Sequence, residues 1–464
     1  MGKGACAFLC VAFFFFWMML DDPVIGPDSH GYITFFVSRE PVYPLFLAMC
    51  RNLPFASVLS VEGYAGIRYA VFFQNLLWAY AVYRAGCFVF RLSRELQWKT
   101  KRGPYAMMWA AVGFQLAVCL INRLFADRHM LYSNLINTEA LAMPLFLLFV
   151  IRLWNLLQDE TRKNLLLCAV LTFLLIGIRK QMQIVLIVWF LMTVLYRLAI
   201  RRCRNPKAVA VQVVCMVCVV LCTRLADAVY HAAVHGFFGH VDSGEALLCC
   251  MLYTAEEEDA ALFSEEESRE RQWFMEIMKE QQERGALLRA LPEDAGIVER
   301  ASHFAEHYDV IGYEIVHPVL LADPGLAGMR DDVSRTRQMY AEEGKLASIL
   351  RRQNLGDYFG VFGANLVSGL AFSVARMSSR LLPVVAVLYL LYIALLIFSV
   401  RKRGDRDKTG GTVMFAVIVI CSIVVNSVVT GALIFPQGRY MIYSMGFFYT
   451  ALLMMALTIA KKRG

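Results

Sequence analysis

Runs of about twenty apolar residues, each closed by basic or turn-forming residues, recur along most of this chain. A helix needs roughly twenty such residues to cross the hydrocarbon core of a bilayer. The pattern predicts ten spanning helices, over about 5–20, 67–90, 105–122, 139–157, 164–178, 182–200, 208–224, 382–400, 412–434 and 441–460. One long stretch breaks it. Between residues 225 and 380, segments such as "EEESRERQWFMEIMKEQQERGALLRAL" carry apolar residues at mixed three- and four-residue spacings, the signature of helices with one buried face. The expected fold class is therefore an all-α polytopic membrane protein with a mainly helical domain outside the membrane. Its expected divisions are an N-terminal transmembrane module 1–224 with helices 1–7, a domain 225–380, and a C-terminal transmembrane module 381–464 with helices 8–10. The stretch "YFGVFGANLVSGLAFSV" (358–374) is apolar enough to suggest an eleventh span. Crossing there would put basic loops on the wrong side, so it is expected to lie along the interface.

Composition agrees, since 58% of residues are hydrophobic and the mean hydropathy is +0.52. The net charge of +8 hides a segregation: residues 225–360 hold 26 acids and 12 bases, which leaves the rest strongly basic. That division excludes a nucleic-acid footprint and fits an acidic extramembrane domain with basic cytoplasmic loops. The clusters "KTKR" (99–102), "RRCRNPK" (201–207), "RKRGDRDK" (401–408) and "KKRG" (461–464) all fall on one side of the ten-helix threading. With the N-terminus inside, the opposite face holds a first loop 21–66, a short loop 123–138, a tight turn 178–182, the large domain and a short loop 435–440. Residues 5–20 after Lys3 read as a retained signal anchor, because no small-residue cleavage site follows. Most cysteines sit inside apolar runs, where they act as small packing residues, and Cys215 with Cys218 has no partner pair for a metal.

Polar groups at the rim of a membrane are costly unless paired or useful, and four groups recur on the predicted outer face. The first loop, "GPDSHGYITFFVSREPVYPLFL" (26–47), carries Asp28 and Arg39. Glu139 follows Thr138 at the start of the fourth helix. "IRKQMQ" places Arg179, Lys180 and Gln181 in a turn with almost no loop. "PQGRYMIY" opens the last helix with Arg439 and Tyr440. Three cationic turns suit a phosphate, with Arg offering paired donors and Lys a point charge. A carboxylate facing them can take a proton from an acceptor hydroxyl. Each residue also has a plainer role: Asp28 as the N-cap of a short helix, Glu139 as a first-turn acid, and Arg439 with Tyr440 as an interfacial anchor. In the large domain, "EHYDVIGYEIVHP" groups His307, Asp309, Glu314 and His317. A metal site of His307, Asp309 and His317 matches no strong ligand spacing, and His317 is carried as a substrate contact.

These stretches resemble a family. "DSHGYITFFVSREPVYPLFL" is similar to the first outer loop of membrane glycosyltransferases of the GT-C superfamily, in the polyprenyl-phosphate-sugar-dependent branch of protein O-mannosyltransferases and the lipid A aminoarabinose transferase. The match falls on Asp28, Tyr32, Arg39, Pro41, Tyr43 and Pro44. "NLINTEALAMPLFLL" resembles the family's Thr-Glu, "LLIGIRKQMQIVLIVWFLM" its apolar-Arg-apolar turn, and "PQGRYMIY" its late Arg-Tyr. The resemblance implies a GT-C-like bundle and an inverting transfer, with Asp28 as base and Arg39, Arg179, Lys180, Arg439 and Tyr440 on the donor phosphate. Tyr32, Tyr43, Glu139, Gln181 and His317 are then expected to contact substrate. The chain departs from the family in having Ser29 where many relatives carry a second acid, so no cofactor is assigned and a divalent metal is unsupported.

The function expected is transfer of a sugar from a polyprenyl-phosphate donor to a lipid or glycan acceptor outside the cytoplasm, in a bacterial inner membrane. No P-loop or other nucleotide signature appears. Two rivals from other classes are a polysaccharide polymerase, for which Asp28 is dispensable, and a lipid-linked glycan transporter. A transporter needs polar residues lining a path, and the apolar runs hold few, among them Gln74, Asn75, Gln115, Gln212 and Asn426.

Overall fold

A computed structural model describes residues 2–95, 102–125, 129–195, 206–241, 244–352, 355–375, 380–401 and 410–461. Each of the ten apolar segments coincides with a helix: α1 (Lys3–Leu20), α4 (Ile67–Arg94), α5 (Arg102–Phe125), α6 (Glu139–Gln158), α7 (Arg162–Ile178), α8 (Ile184–Leu195), α9 (Pro206–His235), α17 (Leu382–Arg401), α18 (Gly410–Leu433) and α20 (Met445–Lys461). Two short helices, α2 (Pro27–Ile33) and α3 (Val42–Arg51), occupy the first loop. The remaining helices lie mostly in the acidic stretch: α10 (Glu245–Tyr253), α11 (Ser268–Glu283), α12 (Ile297–Asp309), α13 (His317–Leu321), α14 (Pro324–Ala327), α15 (Asp332–Leu350), α16 (Leu355–Phe372) and the one-turn α19 (Gly438–Met441). Among the described residues seven helical segments are long and apolar enough to cross a membrane, which makes this a multi-pass membrane protein. The other three segments fall short for visible reasons: α4 carries four arginines, and α7 and the described part of α8 are short. The segment 358–374 is helical within α16 and is not among the seven. Among the described residues the only β pairings are isolated bridges. Most of the basic loops that set the expected orientation, 99–101, 201–205, 402–408 and 462–463, lie outside the described residues, as does Arg128.

The chain divides into two compact units. The first comprises Met1–Tyr230, Pro383–Val425 and Ile442–Gly464, so helices from both ends of the chain share one body. There α4 packs on α1, α5 and α6, while α6 packs on α7 and α20 on α5. Close approach is secured where the helices carry glycine: a Cβ on Gly86 of α4 would meet Val112 of α5 at 2.7 Å. Small residues let membrane helices approach closely, because lipid supplies little hydrophobic drive between them.

Two polar residues of α4 do the positioning that concerns the site. Gln74 and Asn75 are fully buried. Gln74 Nε2 donates to the Ser133 and Leu135 carbonyls at 2.9 and 3.2 Å, and its Oε1 accepts from the Tyr43 hydroxyl at 3.0 Å. Asn75 Nδ2 donates to Asn134 Oδ1 at 2.8 Å, and Asn134 Nδ2 reaches the Trp17 carbonyl at 3.1 Å. The segment 131–137 is thereby bound to α4 and to the end of α1. It pairs in turn with the first loop, where Val24 exchanges backbone bonds with Asn134 and Ile136. Away from water each of these groups costs free energy unless it is bonded, so the residues are tethers between loops.

The second unit comprises His231–Leu382 and Asn426–Met441. It buries Phe274, Ile277, Phe304 and Ile311 along helices whose opposite faces are charged, as the mixed three- and four-residue spacing predicts. Gly244 meets Gly344 so closely that a Cβ would stand 2.4 Å from its backbone nitrogen, which seats the start of α10 on α15.

Replacing Gln74 by Leu takes their Gln74 partner from the Tyr43 hydroxyl and the Leu135 carbonyl, and leaves the Ser133 carbonyl with Asn75. We expect it to destabilise the first unit by about 1–3 kcal/mol, read as a lower melting temperature of the protein in detergent, with Gln74→Glu, whose carboxylate cannot donate to the carbonyls, losing at least as much as Gln74→Leu.

Candidate active site

The first loop folds back on itself at α2. Pro27 opens the helix, and Gly26 N–H donates to Ser29 Oγ at 2.8 Å while that hydroxyl donates to the Ile136 carbonyl at 2.6 Å. Ser29, not Asp28, therefore ties down the helix start, so the capping role weighed for Asp28 does not apply. Asp28 stands in the first turn with its carboxylate turned outward, 37% exposed, where the helix dipole favours an anion. After α2 the chain reverses through Phe35, at φ 59°, and Phe36 N–H closes the turn on the Gly31 carbonyl at 2.8 Å. A left-handed non-glycine residue costs about 1–2 kcal/mol. The reversal brings Arg39 back against α2, over Gly31, where a Cβ would stand only 2.9 Å from the guanidinium.

Arg39 then bonds two residues of α2. Its Nη2 lies 3.1 Å from Asp28 Oδ1, its Nη1 donates to the Tyr32 hydroxyl at 3.3 Å, and the guanidinium sits 4.5 Å from the Tyr32 ring centre. Tyr32 is buried edge-to-face against Tyr43, 5.1 Å between ring centres. Tyr43, expected at the substrate, is instead completely buried with its hydroxyl committed to Gln74, and supports the Tyr32 ring from behind.

Two further pairs face the same place. Glu139, the first residue of α6, has a side chain 1% exposed and accepts from Arg179 Nη1 at 2.5 Å, with the Thr138 hydroxyl on its other oxygen at 3.3 Å. Its first-turn position and its ion pair coexist, so the dipole role weighed for it is only part of its bonding. Arg179 caps the end of α7 in extended conformation, and Lys180 and Gln181 begin the 3-10 turn Lys180–Gln183. Gly177 packs on Val42, whose Cγ2 would meet a Cβ at 2.6 Å, so α7 and α3 lie close together. That contact sets Lys180 Nζ 3.9 Å from Glu40 Oε1. Burial pushes the Tyr32 hydroxyl up to about 12; Arg39 and Arg179 pull it back, while Glu139 and Asp28 add to the rise. Four charges from three parts of the chain thus act on one ring.

Arg439, Tyr440 and His317 belong to the second unit. Arg439 Nε donates to Gln437 Oε1 at 2.6 Å, its Nη2 to the Tyr440 hydroxyl at 2.9 Å, and its guanidinium lies 4.9 Å from that ring's centre. His317, expected at the substrate, is engaged instead with the fully buried Glu343, Nε2 to Oε1 3.0 Å. Glu343 is raised by burial and lowered in part by His317. The histidine weighed with it bonds elsewhere: His307 Nδ1 meets the His303 carbonyl at 2.9 Å. Among the described residues no group of three or more His, Cys, Asp or Glu is placed to hold a metal ion. Asp28, Glu40 and Glu139 each already face a cation. The donor set does not fit a divalent ion, and no step below is routed through one.

The residue that sequence reasoning missed is Glu40. It follows Arg39 directly, and its signal was that of a second acid in a loop already short of one. Burial raises its carboxyl, with Lys180 the strongest opposing influence.

No family model matches the chain, and no curated protein does. Two solved structures resemble it. The apo crystal structure of the Archaeoglobus fulgidus oligosaccharyltransferase has a TM-score of 0.45 and 12% identity, over 99% of this chain and 51% of that one. The archaeal oligosaccharyltransferase AglB from Archaeoglobus fulgidus, in complex with an inhibitory peptide and a dolichol-phosphate, has a TM-score of 0.42 and 12% identity, over 99% and 50%. The chain spans about half the length of these proteins. Neither likeness is close enough to support a functional reading, which rests on the site.

Removing one member of a buried ion pair strands the other. Arg179→Ala is expected to cost about 3–5 kcal/mol of stability, and the double variant Arg179→Leu with Glu139→Leu less than Arg179→Ala alone. Thermal unfolding of the three proteins in one detergent checks this, and equal losses for the single and double variants would count against a buried pair.

Proposed function

We propose that this protein is an integral membrane glycosyltransferase that moves a sugar from a polyprenyl-phosphate donor to a hydroxyl acceptor with inversion at the anomeric carbon. The supporting observation is a partly exposed carboxylate, Asp28, held by Arg39, with two further cations, Arg179 and Lys180, that come from a different helix connection and meet Glu139 and Glu40. The acceptor oxygen attacks the anomeric carbon as the bond from that carbon to the phosphate oxygen breaks, and Asp28 takes the hydroxyl proton. Ion pairing with Arg39 holds the Asp28 carboxylate in place. The lipid phosphate leaves with one more negative charge than it had as a diester. Fixed cations at that point stabilise the departing charge more than the ground state, which is the condition for faster chemistry.

The same reading makes Tyr32 a support for the Arg39 guanidinium, with Tyr43 against its ring, and Gln181 a donor contact. A GT-C-like architecture, a bacterial inner membrane and a lipid or glycan acceptor complete it, on the strength of the loop motifs. The transporter reading loses its few polar markers: Gln74 and Asn75 hold loop carbonyls, Gln212 accepts from Trp189 and Thr193, and Asn426 donates to the Tyr440 carbonyl.

Asp28→Asn keeps the shape of the side chain and removes its basicity. In proteoliposomes given a labelled undecaprenyl-phosphate sugar we expect transfer to fall by about 10²–10⁴-fold with donor binding retained. Undiminished transfer by the variant would sink the assignment of Asp28, and a wild-type chain inert toward every such donor would sink the donor class.

A further inference from the structure

A cavity of about 440 Å³ opens in the second unit between α15 and the chain that leaves α9. Its volume lies within the range of small-molecule sites, about 300–1,000 Å³. Gly236, at φ 76°, ends α9 in the left-handed conformation that glycine adopts at little cost. The turn folds Phe237 back over the last turn of α9, where its ring stacks on the buried His231, 5.0 Å between ring centres. His240 and Val241 follow and line the cavity from this side. Ser334, Arg337 and Gln338 share one exposed face of α15 and line it from the other, together with Met329.

The guanidinium of Arg337 lies 3.8 Å from the centre of the Phe237 ring. Other arginines of this acidic unit meet carboxylates: Arg269 meets Glu342, Arg284 meets Glu314 and Arg289 meets Glu257. Among the described residues Arg337 has no carboxylate within ion-pair distance, and none of those lining the cavity is acidic. The nearby acids of α15 have bonds of their own. Asp331 accepts from the Ser334 N–H at 2.8 Å, Asp332 pairs with Arg335, and Glu342 accepts from Gln338 Nε2 at 2.8 Å. The wall therefore offers a fork of donors for an anion, with the Ser334 hydroxyl and the Gln338 amide oxygen for hydroxyl groups beside it.

The position of the cavity says which anion can arrive. Lys207–His235 is apolar enough to cross a membrane. Large apolar side chains stay exposed to its very end and beyond, at Val229, Val234 and Phe238, the last of them 71% exposed. A row of such side chains is costly in water and at home against lipid. We propose that the cavity binds the headgroup of an anionic, hydroxyl-bearing phospholipid such as phosphatidylglycerol. Arg337 pairs with the phosphate diester, Ser334 and Gln338 bond the glycerol hydroxyls, and the acyl chains stay in the bilayer. A choline or ethanolamine headgroup would set its own cation beside Arg337 with no acid in the lining to receive it, so zwitterionic lipids are disfavoured. The site shares no residue with the Asp28 cluster and does not depend on the reading of that cluster.

The test is native mass spectrometry of the full chain in a neutral detergent, with phosphatidylglycerol and phosphatidylcholine of the same acyl chains added in turn. The affinity of the first lipid bound is read. We expect phosphatidylglycerol to bind more tightly than phosphatidylcholine, and Arg337→Gln to weaken it by about 10–100-fold with the melting temperature unchanged. Arg337→Lys, which keeps the charge and loses the fork, should fall between the two. Equal binding of the two lipids, or undiminished phosphatidylglycerol binding by Arg337→Gln, overturns the site. Glycerophosphoglycerol, the same headgroup without acyl chains, separates the sources. If it binds as tightly as the intact lipid, the site reads a soluble phosphodiester and the lipid assignment falls.

Discussion

The arrangement of the first unit follows from the cost of charge and polarity where water is scarce. Glu139 is a carboxylate at the start of a membrane helix with almost no contact to solvent, and it is tolerable only because Arg179 meets it. That requirement fixes where α7 must end relative to where α6 begins. The end of α7 fixes Lys180, and packing of Gly177 on Val42 brings α3 and the preceding Glu40 to it. Arg39, one residue earlier, then lies against Asp28. A single buried pair thereby sets the register in which the other two pairs form.

Much of this was legible before any coordinates. Each apolar run of spanning length coincides with a helix, because in lipid the backbone must bond within its own segment and periodic detail matters little. Asp28, Arg39, Glu139, Arg179 and Lys180 stand out as charges that a membrane rim tolerates only for a reason, and the first four of them act on Tyr32. What the sequence hid was the pairing. Which acid meets which cation depends on a reversal at Phe35 and a close approach at Gly177, and neither leaves a trace in hydropathy. Glu40 escaped notice because an acid beside an arginine reads as solvated loop. Gln74 and Asn75 were weighed as the lining of a path, since only the fold shows that they point at loop carbonyls. The engagement of His317 with Glu343 was invisible for the same reason, the two lying 26 residues apart on different helices.

Two kinds of rigidity meet at the site. From below, the amides of α4 grip Tyr43 and the segment 131–137 by hydrogen bonds that water cannot easily compete for. From the side, the glycines of α2 and α7 let a guanidinium and a neighbouring helix come closer than any side chain would permit. The cations are thus preorganised, which is where a fixed charge is worth most to a reaction. Lys180 differs from the two arginines in being the most exposed of the three.

The turn at Phe35 gives the loop a direction of change. A bulky residue held left-handed stores a modest strain, and the contacts of Arg39 with Asp28 and Tyr32 offset it. The salt bridge therefore does two things at once: it sets the guanidinium over α2 and it holds the chain reversal shut against its own strain.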